Sequence, residues 1–141
     1  MSQLRYMLDT DTSSYFMKGR SPSIDARLRE LDREDSCISV VTRAELMYGL
    51  QLAVPAHPSH LRVRRFLADM TILDWNQSAA DAYAVLRYQM KMQGTPVADL
   101  DLMIAAHAVS IGAILVTNNT RHFARLSPSL VIENWVDDPP R

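Results

Sequence analysis

The stretch GTPVADLDLMIAAHA, residues 94–108, combines a turn, two carboxylates and an apolar helix. Because proline cannot continue a helix, Pro96 ends the preceding element, and a new helix is predicted to begin at about Asp99. Asp99 is a good N-cap residue, and Asp101 falls in the first turn, where free backbone N–H groups favour anions. Capping alone explains either acid, so a functional role requires partners elsewhere in the chain.

Predicted strands and helices alternate along the rest of the chain. Short apolar runs predict about five strands, at residues 6–8, 37–41, 71–73, 113–116 and 130–132. Amphipathic or apolar spacing predicts helices between most of them. This alternation favours an α/β fold whose mainly parallel sheet carries helices on both faces, joined by right-handed crossovers. In such sheets, sites form beyond the carboxyl ends of the strands.

Length and composition indicate one globular domain. The chain has 141 residues, 48% of them hydrophobic, and we expect a single domain over residues 1–136 with a short flexible tail at 137–141. The net charge of −1 means that a polyanion must be held by a local basic patch or by metal ions. No apolar run approaches the roughly 18 residues of a membrane span, and Cys37 is the single cysteine. We therefore expect a cytoplasmic protein without membrane contact.

Four acids are predicted to lie on one edge of this sheet. Asp9 follows the first strand, Glu45 opens the helix after the second, and Asp99 and Asp101 open the helix predicted after Pro96. Thr42 and Glu45 also match a capping box, which would by itself account for Glu45. Converging carboxylates repel one another unless protons or a cation neutralise them. Oxygen ligands of this kind suit Mg²⁺, with Mn²⁺ as a second possibility.

Four segments of the chain closely resemble the PIN domain, and more narrowly the VapC-type toxins of bacterial toxin–antitoxin modules. They are YMLDTDTSSYFMKG at 6–19, ISVVTRAELMYGL at 38–50, the stretch at 94–108, and GAILVTNNTRHF at 112–123, followed by VIENW at 131–135. The resemblance implies a three-layer α/β/α fold and a Mg²⁺-dependent endoribonuclease that cleaves RNA. It also implies a homodimer inhibited by a cognate VapB-type antitoxin. Carried over by position, the catalytic and metal-binding acids are Asp9, Glu45 and Asp101.

The sequence departs from many PIN domains after the fourth predicted strand. Asn119 stands where those domains have a fourth acid, and Asp99 is predicted to supply the missing charge as a further catalytic, metal-binding residue. Asn119 could still offer an amide oxygen or hold a metal-bound water. Thr117 is predicted to donate a hydrogen bond to one of the acids.

The cations that would hold RNA are predicted from their positions along the chain. The RNA-binding candidates are Lys18, Arg20, Arg43 and Arg121. Arg43 is a candidate because it lies beside Glu45 in the sequence. In contrast, we expect the three arginines of the basic helix to lie on a solvated face far from the acids; these are Arg62, Arg64 and Arg65.

Two other functions remain open at this stage. The run Asp9-Thr10-Asp11-Thr12-Ser13 resembles the D-x-D loop of HAD-type phosphohydrolases, in which the first Asp is a nucleophile and the second a general acid. That motif is short, and the chain lacks the further metal loop of that family. The other alternative is a catalytically inert PIN-like binding domain in which the acids only cap helices. Assays of phosphodiester cleavage with and without Mg²⁺ discriminate among the three.

Overall fold

Five parallel strands form a single sheet. The computed structural model describes residues 5–95, 97–126 and 128–136, so the predicted tail at 137–141 lies outside the described residues. The strands are β1 (Tyr6–Leu8), β2 (Ser36–Ser39), β3 (Thr71–Leu73), β4 (Ile114–Val116) and β5 (Ile132–Glu133). Their order across the sheet is β3-β2-β1-β4-β5, and every neighbouring pair is parallel. The predicted parallel α/β architecture is confirmed.

Helices connect the strands. They are α1 (Thr10–Met17), α2 (Pro22–Glu30), α3 (Val40–Leu52), α4 (Ser59–Asp69), α5 (Gln77–Gln93), α6 (Asp99–Ile111) and α7 (Thr120–Ala124). Gly94 and Gly112 end α5 and α6 with φ near 68°, a left-handed conformation that glycine adopts without strain. Among the described residues, none of the helices is both long and apolar enough to cross a bilayer.

Adjacent strand residues pack on opposite sides of the sheet. Met7 and Leu115 belong to a hydrophobic core that includes residues of α5 and α6. Leu8 and Val116, one position further along, belong to a second core with residues of α2, α3 and α4. This alternation follows from the pleat of a strand, and it accounts for uninterrupted apolar runs in strands covered on both faces. The molecule therefore has the predicted three layers, helices–sheet–helices.

The strand order reverses between β1 and β4. The chain leaves β1 to build β2 and β3 on one side, and then returns to build β4 and β5 on the other. The pairing of Leu8 with Val116 brings the next residues, Asp9 and Thr117, to neighbouring positions at the carboxyl edge. In open parallel sheets, ligands bind in the crevice at such a reversal point.

The predicted capping box at Thr42 and Glu45 is wrong. β2 ends two residues earlier than expected, and Ser39 caps α3 by accepting a hydrogen bond from the Val41 N–H at 3.0 Å. The β-branched residues Val40 and Val41 favour a strand. Tertiary context overrides that preference, because β2 ends at Ser39 and the chain turns into α3 at the next residue. Glu45 consequently lies in the second turn of α3, where capping no longer explains it.

The predicted N-cap role of Asp99 is also wrong. The Leu102 N–H donates to the Ala98 carbonyl at 2.9 Å, which makes Ala98 the N-cap residue and Asp99 the first residue inside α6. The predicted start of the helix is nevertheless confirmed. Leu100 is 47% exposed, whereas Leu102 is buried. Asp99 and Asp101, two residues apart, therefore lie on nearly opposite sides of α6.

Candidate active site

Asp9 is a buried carboxylate at the reversal point of the sheet, with 6% of its surface exposed. Its Oδ1 accepts the Thr12 N–H at 2.8 Å and so caps α1, and its carboxyl group is also hydrogen-bonded to the Thr117 side chain. Burial raises the pKa of Asp9 to about 6, although these hydrogen bonds act in the opposite direction. Thr117 is itself fully buried, so the structure holds Asp9 in one orientation, and the predicted hydrogen bond between Thr117 and an acid is present.

Asp101 lies in the first turn of α6 and is partly buried. Burial raises its pKa, the charge of His122 lowers it, and the charge of Asp11 raises it further. The charge of Asp11 also raises the pKa of Asp9. The charge of Asp11 therefore raises the pKa of both predicted acids, and His122 lies close enough to Asp101 to interact with it electrostatically.

Asp11 is the residue of this group that sequence analysis assigned no metal-binding role. Its only predicted role was that of general acid in the phosphohydrolase alternative. Its position in the first turn of α1, two residues after Asp9, was the available signal, since that turn begins at the carboxyl edge of the sheet. Asp11 is exposed, whereas Asp9 is buried.

Glu45 occupies a different part of this edge. Its Oε1 accepts a hydrogen bond from the Thr10 hydroxyl, which also lies 3.2 Å from the Thr42 hydroxyl. Glu45 and Thr10 line a cavity of about 270 Å³ between α1, α3 and α4. Thr10, which lines this cavity, directly follows Asp9 in the chain. Asp11, rather than Glu45, is the carboxylate whose charge acts on Asp9 and Asp101.

The structure does not bring Asp99 to the other acids. Asp99 is exposed and lines a cavity of about 400 Å³ together with Arg87 and Lys91 at the carboxyl end of α5. Asp99 and Asp101 lie two residues apart in one helix and therefore point about 200° apart around its axis. Asn119 is exposed, and its backbone N–H donates to the Thr117 hydroxyl at 3.0 Å. This contact involves the backbone, so the amide side chain of Asn119 is left to solvent or substrate.

The donor set fits a hard divalent cation by its chemistry. Asp9 and Asp101 are carboxylates whose charged forms are disfavoured by burial and by the neighbouring Asp11, and a cation would relieve that repulsion. Within the described residues, no three Asp, Glu, His or Cys side chains are grouped closely enough to hold a metal. Mg²⁺ commonly uses only one or two carboxylates, several waters and the phosphates of its substrate. Asp9 and Asp101 are the residues that would hold it.

The cations fall into two groups around the site. Lys18 and Arg20 line a cavity of about 190 Å³ with Asp11, which is consistent with their predicted position near the acids. Arg121 is exposed on α7, beside His122. Arg43, however, lies in a groove with Arg64 and not beside Glu45, because positions 43 and 45 face opposite sides of α3.

Arg62 contradicts the expectation that the arginines of α4 lie far from the acids. It lines the same cavity as Glu45 and Lys18. Sequence spacing placed Arg62 on a helix surface correctly, but it could not show that α4 packs beside α1 and α3 at this edge. The basic helix therefore contributes one cation, Arg62, to the surroundings of the site, and Arg64 faces elsewhere.

Comparison with known proteins identifies the family of this chain. Residues 6–127 match the sequence profile of the PIN domain. The chain belongs to the PIN domain family. Nucleases with a PIN domain generally depend on divalent metal ions, which agrees with the chemistry of the paired acids.

The PIN domain relatives match along nearly the whole chain. The tRNA(fMet)-specific endonuclease VapC of Salmonella typhimurium is 36% identical over 132 residues, covering 94% of this chain and 98% of the relative. Ribonuclease VapC2 of Haemophilus influenzae is 37% identical over 133 residues, covering 94% and 99%. The structure of DNA-bound VapBC from Salmonella typhimurium superimposes with a TM-score of 0.87 at 36% identity, covering 94% of this chain and 99% of the matched chain.

These similarities place the chain with the VapC ribonucleases within the PIN domain family. The phosphohydrolase alternative, in which Asp9 is a nucleophile, is therefore wrong. The signal that misled was the short D-x-D spacing of Asp9 and Asp11, which here places two carboxylates at the start of α1 in a PIN domain.

Proposed function

We propose that this protein is the Mg²⁺-dependent endoribonuclease toxin of a type II toxin–antitoxin system, and that it hydrolyses RNA phosphodiester bonds at the carboxyl edge of its sheet. The observation that carries the proposal is the burial of Asp9 at the reversal point, where its pKa is raised to about 6 and where the charge of Asp11 acts on both Asp9 and Asp101. Isolated helix caps are usually solvated, whereas a desolvated carboxylate in a crevice is typical of a functional site.

Each residue of the proposed site has a separate role. Asp9 and Asp101 would hold the ion, and the Thr12 N–H and the Thr117 side chain fix the orientation of Asp9. When bound, a divalent ion activates water and offsets the charge of the scissile phosphate. Asp11 adds negative charge to the same edge and so strengthens its attraction for a cation. Glu45 is the third acid of the proposed site. It accepts a hydrogen bond from Thr10, and both residues line the cavity in which it would face the substrate.

The proposed substrate is a tRNA, because a relative that matches over nearly its full length is named a tRNA(fMet)-specific endonuclease. A chain with a net charge of −1 needs local cations to bind a polyanion. Lys18, Arg20 and Arg121 are suited to this role by their exposure near the acids. Arg43 lies beside Arg64 and is therefore not part of the proposed substrate groove.

We further propose a homodimer and a VapB-type antitoxin as partner, both acting in the cytoplasm. Structures similar to this chain include VapBC complexes from Salmonella typhimurium and Rickettsia felis. Two exposed apolar surfaces are available: Val85, Tyr88 and Met92 on α5, and Tyr48, Leu52 and Leu61 on α3 and α4. We assign the α5 surface to the second copy, since the other surface lies on the helices that flank Glu45 and suits an inhibitor.

Cleavage of total tRNA by the purified protein tests the proposed activity. We expect fragments in millimolar Mg²⁺, no fragments after EDTA treatment, and recovery when Mg²⁺ is returned. Cleavage that persists in EDTA would contradict the metal-dependent mechanism. Intact RNA under every divalent metal tested would favour the catalytically inert alternative instead.

A further inference from the structure

A cavity beside the proposed site combines an apolar floor with a basic rim. It lies between α1, α3 and α4 and has a volume of about 270 Å³. Its floor includes the buried side chains Leu46, Leu50 and Val63. Lys18 and Arg62 lie on its exposed rim. This volume is below the roughly 300 Å³ of the smallest pockets for drug-sized ligands, so the cavity fits a small group such as part of one nucleotide.

The two rim cations are available to an anion. Among the described residues, neither Lys18 nor Arg62 forms an ion pair; the ion pairs seen there join Arg27 to Glu133 and Arg33 to Asp69. Lys18 also lines the neighbouring cavity that contains Asp11 and Arg20, so the two cavities meet at this residue.

Both ends of this basic line lie next to the proposed site of hydrolysis. At one end, the cavity wall includes Thr10, the residue that follows Asp9. At the other end, Asp11 shares a cavity with Lys18 and Arg20. A strand that follows Arg20, Lys18 and Arg62 would pass beside the acids. Cations spaced along a groove are typical of proteins that follow a nucleic-acid backbone.

Gly49 provides a separate indication that a ligand approaches the cavity wall. It lies inside α3, where glycine is less stable than alanine, and its backbone is not in the left-handed region that favours glycine. A Cβ built at Gly49 would meet no atom within 4 Å, so the packing of the protein does not demand glycine there. Gly49 lines the cavity, and the missing side chain leaves its wall open to a close approach.

We propose that this cavity is an RNA subsite, in which Lys18 and Arg62 bind backbone phosphates flanking the cleaved bond and Gly49 admits the adjoining sugar. The inference rests on the proposed ribonuclease function and adds a path for its substrate. Charge favours RNA over a protein segment, because the rim presents two unpaired cations around the single carboxylate Glu45.

Binding of a fluorescently labelled single-stranded RNA, followed by anisotropy over a series of salt concentrations, tests the subsite. The Asp101→Asn background with EDTA prevents cleavage during the measurement. We expect Arg62→Glu to weaken binding about tenfold and to flatten the salt dependence, because each lost phosphate contact lowers the slope by about 0.7 for single strands. Lys18→Glu should act in the same direction.

Arg64→Glu is the matched control. It makes the same charge change in the same helix, but Arg64 points about 200° away from Arg62 and lines the groove with Arg43. We expect its RNA affinity to stay within twofold of the parent. Equal weakening by Arg62→Glu and Arg64→Glu would overturn the inference, since it would show only a general effect of net charge.

Gly49→Ala tests the open wall without altering charge. We expect the melting temperature to rise by about 3 °C from the better helix propensity, while RNA binding weakens severalfold. Higher stability with unchanged RNA binding would overturn the role given to Gly49.

Two further outcomes separate the subsite from the proposed function. If the wild-type protein binds RNA through Arg62 but cleaves none in any divalent metal, the subsite stands and the ribonuclease proposal fails. If Arg62→Glu leaves RNA binding unchanged and instead weakens the antitoxin complex, the cavity belongs to a protein partner and the subsite is overturned.

Discussion

Asp9 and Glu45 follow neighbouring strands at the same edge of the sheet, yet their surroundings differ. Asp9 is buried, hydrogen-bonded to the Thr12 N–H and the Thr117 side chain, and has its pKa raised to about 6. Glu45 is half-buried in an open cavity whose rim carries Lys18. Burial without a balancing charge makes Asp9 a site for a cation. Nearby cations make the region of Glu45 a site for an anion, and a phosphodiester hydrolase needs both side by side.

The largest expected effect is the loss of activity in Asp9→Asn. Removing the charge of the buried acid should lower the rate of RNA cleavage at least a thousandfold, equivalent to about 4 kcal/mol in the barrier. Single-turnover cleavage of tRNA in Mg²⁺ measures it. Asp74→Asn is the matched control, because Asp74 also follows a strand, β3, at this edge but is exposed. Comparable losses in the two variants would remove the distinction between a buried acid and an exposed one.

The second effect is on stability and has the opposite sign. Because burial raises the folded-state pKa of Asp9 from 3.8 to about 6, its contribution to stability is fully present below about pH 4 and is lost as the pH rises through 6. Without metal, Asp9→Asn should therefore be more stable than wild type at pH 7 by up to about 3 kcal/mol, at about 1.4 kcal/mol per pKa unit. Urea unfolding in EDTA at pH 7 and at about pH 4 tests this. A gain that persists at the lower pH would have another cause.

The positions of Asp9 and Asp101 could be predicted from sequence because both depend on local signals. An apolar run that stops at an acid, and a helix that must restart after Pro96, fix those acids at element ends. The parallel sheet then brings them to one edge. The same logic predicted the α/β fold, since strands and helices alternate regularly along the chain.

The surroundings of Glu45 could not be predicted, because they depend on how helices pack. Arg62 reaches the cavity only because α4 lies beside α1 and α3, and no spacing within α4 shows that. The error at Ser39 had a related cause. Val40 and Val41 favour strand locally, while the end of the sheet decides where α3 begins.

A smaller effect is expected for Glu45→Gln, which removes the charge but leaves an oxygen that can accept the Thr10 hydrogen bond. We expect RNA cleavage to fall about 10- to 100-fold, less than for Asp9→Asn, with little change in melting temperature. The same single-turnover assay measures it. A loss as large as that of Asp9→Asn would instead make Glu45 a full metal ligand and give the three-carboxylate site of Asp9, Glu45 and Asp101 that the resemblance to PIN domains implied.

The smallest effect is expected at Asp99, the acid that shares α6 with Asp101. Asp99 is the first helical residue, is exposed, and lies beside Arg87 and Lys91. Asp99→Ser removes a favourable interaction with the helix dipole, so we expect a loss of about 0.3–1 kcal/mol in stability, less in high salt. RNA cleavage should stay within twofold of wild type, whereas Asp101→Asn in the same helix should abolish it. If Asp99→Ser instead reduced cleavage tenfold or more at unchanged melting temperature, Asp99 would act at the metal site. Asp99 would then supply the charge missing at Asn119, as the sequence predicted.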